Sequence, residues 1–208
     1  ASIARPKARV TVYLNANGST VINPAMLDSA STDNCTITSR VISQATFNCS
    51  NLGNNTVSFT VQDQSGNANA ANVIVTVLDT IKPLVVTQNI SVNLNSSGSA
   101  TITASQINNG SSDNCTISTL TLSKSTFSCA DLGANNITLT VVDANGNTAV
   151  GNAVVTVTDN TNPVARPRNL TVYLNASGNA TITATMADSA SSDNCSVATR
   201  TINTSSFT

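Results

Sequence analysis

The sequence predicts an all-β chain of tandem β-sandwich repeats. Three observations predict it: a register of 80 residues, an apolar alternation with a period of two, and polar positions filled by Ser, Thr and Asn with few charges. The register is explicit. Asp33-Asn34-Cys35 returns as Asp113-Asn114-Cys115 and again as Asp193-Asn194-Cys195. The same offset relates Phe47, Phe127 and Phe207, then Leu14, Leu94 and Leu174, then Gly18, Gly98 and Gly178, and Cys49 with Cys129. Self-similarity at a fixed period without drift is the signature of a repeated folding unit.

Within one repeat the apolar period is two, as in Ile90, Val92 and Leu94, then Ala100, Ile102 and Ala104, then Ile137, Leu139 and Val141, then Ala153, Val155 and Val157. Each run reads as a strand with one buried face. Turn chemistry separates them: Asn95-Ser96-Ser97-Gly98, the Asp-Asn-Cys loop, Asp131-Leu132-Gly133 and Asp143-Ala144-Asn145-Gly146. About seven short strands per repeat is the count of a small immunoglobulin-like sandwich. Polar, proline-bearing linkers at 78–83 and 158–163 set the segments as 1–83, 84–163 and 164–208. An odd strand number sends the chain in at one pole and out at the other, so the repeats are expected end to end in an extended string, with Pro83 and Pro163 stiffening the joints. The third segment holds 45 of its 80 residues, and the chain is expected to continue.

Composition narrows the function. Of 208 residues 9% are charged and 3% aromatic, the net charge is -1, and His, Trp and Glu are absent. No basic face exists for nucleic acid or anionic lipid. No apolar run reaches the length of a membrane span, and the N-terminus lacks a secretory signal, so export signal and anchor are expected outside these residues. General acid–base and triad chemistry has no His or Glu to draw on, which argues against an enzyme. Lysine–asparagine cross-links are excluded because Lys7, Lys82 and Lys124 share no register.

Two sets of residues carry the remaining chemistry. Cys35 with Cys49 and Cys115 with Cys129 are each 14 apart, which suggests a local disulfide in each repeat, with the partner of Cys195 outside the fragment. A loop of about 15 residues closed in this way contributes roughly 3 kcal/mol and implies an oxidising compartment; buried free thiols are the alternative. Ten Asp supply all the acid, mostly at repeat-equivalent loops and linkers. Asp79, leaving one repeat, is placed to meet Asp113 and Asp143 in the entrance loops of the next. With Asn114, Asn147 and backbone carbonyls they suit Ca²⁺, a hard ion that takes six to eight oxygens. Asp159 and Asp193 would repeat the arrangement. The competing reading is that these Asp and Asn satisfy loose backbone N–H groups in Asx turns. No other cofactor is expected.

Ser112-Asp113-Asn114-Cys115, Phe127-Ser128-Cys129, Leu132-Gly133-Ala134-Asn135, Asp143-Ala144-Asn145-Gly146-Asn147 and Val155-Thr156-Val157-Thr158-Asp159 leading into Pro163 together resemble the HYR-like, immunoglobulin-like repeats of giant Bacteroidota cell-surface adhesins, of the SprB-like gliding-motility type. The resemblance covers the whole chain; Ile3, standing where Pro83 and Pro163 stand, departs from it. It implies type IX secretion, display on the cell surface, and adhesion or filament formation. Asp28-Ser29-Ala30 and Asp188-Ser189-Ala190 resemble an O-glycan acceptor motif of such exported proteins, though a plain turn is the favoured reading. The expected function is a structural stalk whose partners are other copies or repeats of the same protein. The alternatives are a repeat-borne module binding glycan or a surface protein, and a spacer of a larger secreted enzyme. With Tyr13 and Tyr173 the only Tyr, sugar stacking is poorly provided for.

Overall fold

Val57, Phe59 and Val61 alternate with polar neighbours along one strand, and Val73, Val75 and Val77 recur at every second position along the next, with Ile74 and Thr76 between them. Period two puts each set on one face, and β-branched residues favour the pleated backbone. In the computed structural model, which describes residues 1–208, these runs form β5 (Gly53–Asp63) and β6 (Ala68–Leu78), two antiparallel strands of 11 residues each. They come after β1 (Arg9–Tyr13), β2 (Ser19–Val21), the one-turn helix α1 (Pro24–Leu27), β3 (Ile37–Ile42) and β4 (Thr46–Asn48). A single 3₁₀ turn, Cys49–Asn51, joins β4 to β5.

One sheet has the order β1-β6-β5-β3, and the other pairs β2 with β4. β1 lies parallel to β6, from Arg9 opposite Ile74 to Tyr13 opposite Leu78. Between the sheets Val12, Leu14, Ile22, Leu27, Phe47, Val57, Phe59, Val61, Val73, Val75 and Val77 form one buried cluster. The chain is therefore all-β with sandwich-like sheets. Six strands form where about seven were expected. The entry segment is reduced to bridges from Ile3 to Thr32 and from Pro6 to Asp28, and the next repeat does the same without a proline, from Leu84 to Ser112 and from Thr87 to Asn108.

The same elements recur: β7 (Ile90–Asn93), β8 (Ser99–Thr101), α2 (Ala104–Ile107), β9 (Ile117–Leu122), β10 (Thr126–Ser128), β11 (Gly133–Asp143) and β12 (Thr148–Thr158). The sheet order is β7-β12-β11-β9, with β7 parallel to β12, and β8 pairs with β10. The expected strand through Ala100, Ile102 and Ala104 stops at Thr101. A capping box between Thr103 and Gln106 starts the helical turn α2 there, and Asn23 with Pro24 does the same for α1. Residues 164–208 contribute β13 (Ala180–Thr181), α3 (Ala184–Ala187) and β14 (Ser206–Phe207). These residues end before the register positions of β5 and β6, and Leu174 is 54% exposed where Leu14 and Leu94 are 4% and 5%.

By contact the chain divides into two units. The first comprises Ala1–Val86 with Gly110–Thr121 and Thr140–Gly151; the second comprises Thr87–Asn109, Leu122–Leu139 and Asn152–Thr208. The division runs across β9, β11 and β12. The first unit thus contains the linker after β6 together with the two loops, 110–121 and 140–151, in which Asp113 and Asp143 stand.

Candidate metal centre and disulfides

The first unit brings Asp79, Asp113 and Asp143 together, with carboxylate oxygens all within 4.8 Å of one another. β6 ends at Leu78 and delivers Asp79 directly; Asp143 closes β11; Asp113 lies in the loop that leads to β9. Asp79 and Asp143 are buried and Asp113 is half-buried.

Each carboxylate is braced from one side. Asp79 Oδ1 accepts from the Ile81 backbone N–H and from Asn114 Nδ2, both at 3.1 Å. Asp113 Oδ2 accepts from the Cys115 N–H at 3.0 Å. Asp143 Oδ1 accepts from the backbone N–H groups of Asn145 and Asn147 at 2.8 Å each. Asn147 Nδ2 donates to Asp143 Oδ2 at 2.7 Å and to the Asp79 carbonyl at 3.1 Å. Asn147 thus ties the linker to the loop through its amide nitrogen. These are the expected Asx turns, and they leave something over. Asp79 Oδ2, Asp113 Oδ1 and Asn114 Oδ1 are buried with no donor, and no lysine or arginine forms an ion pair with any of the three carboxylates. Buried acceptors are rarely left unpaired, and like charges at this spacing repel by roughly 3 kcal/mol per pair at an effective dielectric of 20. A hard divalent cation removes both costs, and the donor set of carboxylate and amide oxygens fits Ca²⁺.

The second unit repeats the motif. Asp159 Oδ1 accepts from the Thr161 N–H and from Asn194 Nδ2, both at 3.0 Å, and Asp193 Oδ1 from the Cys195 N–H at 3.0 Å. Asp193 Oδ2 and Asn194 Oδ1 are again buried without donors. The Thr161 N–H, then the Asn194 amide, holds the Asp159 carboxyl below its ordinary pKa. At the entry pole of the first unit, Asp33 accepts from Ser2 Oγ at 3.2 Å and lies 3.5 Å from the N-terminal amine. The Cys35 N–H is the main cause of its lowered pKa, and the Asn67 side chain lowers Asp63 in the same way.

The cysteines pair differently from the sequence expectation. Cys49 bonds to Cys115 and Cys129 to Cys195, each across a sequence separation of 66, and Cys35 is free and exposed. The local pairs Cys35–Cys49 and Cys115–Cys129 do not form, and Cys195 finds its partner within the chain. The cause is the length of the sheet. Cys35 precedes β3, whose first residue Ile37 sits opposite Asp63, whereas Cys49 precedes β5, whose first residue Gly53 sits opposite Val77. The 11 residues of β5 lie between those ends, about 30 Å at the strand rise. Nearness in sequence is not nearness in space here.

Sequence reasoning missed Gly18 and Gly98 as functional positions, although their register singled them out. Asn15 Oδ1 accepts from the N–H groups of Asn17 and Ser19, at 2.9 and 3.2 Å, folding a turn in which Gly18 takes φ +68°. A Cβ on Gly18 would lie 2.5 Å from the Asn114 carbonyl oxygen and 2.8 Å from Cys49 Sγ; on Gly98 the same distances, 2.6 and 2.8 Å, are to Asn194 and Cys129. Asn114 Nδ2 also donates to the Asn15 carbonyl at 3.4 Å. Gly18→Ala is expected to destabilise the chain by more than Gly53→Ala does. Gly53 also has positive φ but nothing within 4 Å, so it carries only the left-handed strain of about 1–2 kcal/mol. Urea unfolding of the two variants checks this, and equal losses would remove the close-approach role of Gly18.

Asp28 and Asp188 stand outside the candidate centre. Arg40 Nε and Arg200 Nε donate to them at 2.7 Å. The Ser191 hydroxyl first, then its N–H and Arg200, bring Asp188 down to about 2. These aspartates anchor the turn that carries Ser29 and Ser189.

No family model and no curated protein matches the chain. Similar solved structures include the protocadherin gamma B7 extracellular cadherin domains 1–4, at 10% identity over 80% of this chain and 53% of that chain with a TM-score of 0.35. Human mucin-like protocadherin EC1-2 is 14% identical over 76% of this chain and 98% of that one, with a TM-score of 0.37. Sidekick-1 immunoglobulin domains 1–4 are 12% identical over 79% and 54%, with a TM-score of 0.26. The chain spans 53% and 35% of the length of the first two protocadherin structures it matches. At these scores the likenesses assign the chain to no family.

Proposed function

We propose that the chain is a non-enzymatic segment of an extracellular adhesive stalk, built from 80-residue repeats joined end to end, in which each joint is closed by a disulfide and a bound Ca²⁺. The carrying observation is the convergence of Asp79, Asp113 and Asp143 with three buried, donorless oxygens where the linker meets the loops before β9 and after β11. The disulfides support an oxidising environment outside the cytoplasm. The resemblance to surface-adhesin repeats supports type IX export, display on the cell surface and a role in adhesion or gliding, with other copies of the chain as partners. The ion draws the linker and two loops into one coordination shell and so limits bending at the joint.

Thermal unfolding in calcium and in chelator tests the joint. Extracellular calcium modules bind with Kd of about 10⁻⁴–10⁻³ M, and ligand at about 100 times Kd stabilises by roughly 2.7 kcal/mol. The melting midpoint is expected to rise by several degrees with calcium. Asp79→Asn places an amide donor beside the orphaned oxygens of Asp113 and Asn114; it is expected to abolish the calcium response while leaving the metal-free midpoint unchanged or higher. An identical midpoint with and without chelator removes calcium from the joint. Electron microscopy of the native assembly tests the stalk: a fibre of regular beads is expected, and isolated globules oppose it.

A further inference from the structure

The disulfides decide which residues connect one end of the chain to the other. From Ala1 the shortest covalent route runs along the backbone to Cys49, crosses to Cys115, runs along the backbone to Cys129 and crosses to Cys195. The backbone that each crossing bypasses, 50–114 and 130–194, is most of the fold. It includes β5, β6, β7 and β8 in the first stretch and β11, β12 and β13 in the second.

We propose that the protein is a tension-bearing tether whose load passes through the sulfur bridges, so that pulling on its ends releases no backbone from the long strands β5, β6, β11 and β12. The proposal goes beyond the calcium joint. It rests on covalent connectivity alone and holds whether or not a cation is bound. Hydrogen-bonded sheets yield under load, and the backbone they release then lengthens the chain. A bypassed stretch releases nothing, because its two ends are held together at a Cα–Cα distance of 5.5 Å at the first bridge and 5.4 Å at the second. Only the segment from Cys115 to Cys129, which carries β9 and β10, stays in line between the two bridges. At about 3.5 Å per extended residue it can lengthen the tether to roughly 50 Å, against roughly 280 Å for a whole unbridged repeat. The local pairing expected from sequence spacing does the opposite: it shelters the short segment and puts the long strands under load.

Half-burial protects the bridges. Cys49 Sγ lies 3.7 Å from the Gly18 carbonyl oxygen and 3.5 Å from that of Asn114, and Cys129 Sγ has the same surroundings at Gly98 and Asn194. The glycines that admit the loops thereby also crowd the sulfurs of the load path.

Single-molecule stretching of the full chain between handles at Ala1 and Thr208, before and after dithiothreitol, tests the proposal. The oxidised chain is expected to reach a contour length of roughly 270 Å, and reduction to add about 460 Å. The double variant Cys49→Ser/Cys115→Ser is expected to add about half of that gain before any reduction. Contour length at full extension does not depend on whether a variant folds. A gain on reduction below about 100 Å, as local pairing would give, or no gain, as free thiols would give, overturns the proposal.

Discussion

Cys115→Ser is expected to destabilise the chain by about 4 kcal/mol, the loop-closure entropy of a disulfide spanning about 66 residues. The effect is large because the bridge closes a long loop: the 15-residue loop expected from sequence spacing would have contributed about 1 kcal/mol less. Urea unfolding under non-reducing conditions measures it. Cys35→Ser is the matched control. Cys35 is exposed and unbonded, so its replacement is expected to stay within about 0.5 kcal/mol of the parent. A loss from Cys35→Ser of about 3 kcal/mol, the value for a closed loop of about 15 residues, would reinstate the local pairing.

Phe47→Ala is expected to cost about 3–5 kcal/mol, the range for emptying a buried aromatic site. Phe47 is fully buried on β4, opposite Thr20 of β2, and the small sheet contributes no other aromatic ring to the core. Phe59 on β5 is the remaining phenylalanine of that cluster, and the rest is aliphatic, so no ring can move into the gap. Urea or thermal unfolding of the variant beside the parent measures the loss. A loss below about 1 kcal/mol would mean that Phe47 does not anchor the small sheet to the core.

Much of this was legible in the sequence. The alternation of Val57, Phe59 and Val61 and of Val73, Val75 and Val77 marks the long hairpin, because a half-buried strand has to alternate. The gathering of Asp79, Asp113 and Asp143 was legible for a topological reason: β1 and β6 run parallel, so the chain leaves at the pole opposite its entry and delivers Asp79 to the loops that carry Asp113 and Asp143. Spacing brings Asn147 to the site, but it does not show that its amide nitrogen donates to Asp143 and to the Asp79 carbonyl. The cysteine pairing was illegible for a stronger reason. A separation of 14 residues suggests a short loop only if the chain turns back within it, and β3, from opposite Asp63 to opposite Phe59, and then β4 instead carry the backbone on toward the start of β5. The glycine at 18 was visible as a repeat position, but a clash with Asn114, 96 positions away, leaves no mark in either segment read alone.

The bond between Cys49 and Cys115 also sets an order of events during folding. Every strand of the first sandwich, β1 to β6, ends by Leu78, and Cys115 lies beyond it. The two sulfurs meet only once the loop before β9 has docked beside the turn at Gly18. Oxidation therefore records that two successive stretches of the chain have come together in register.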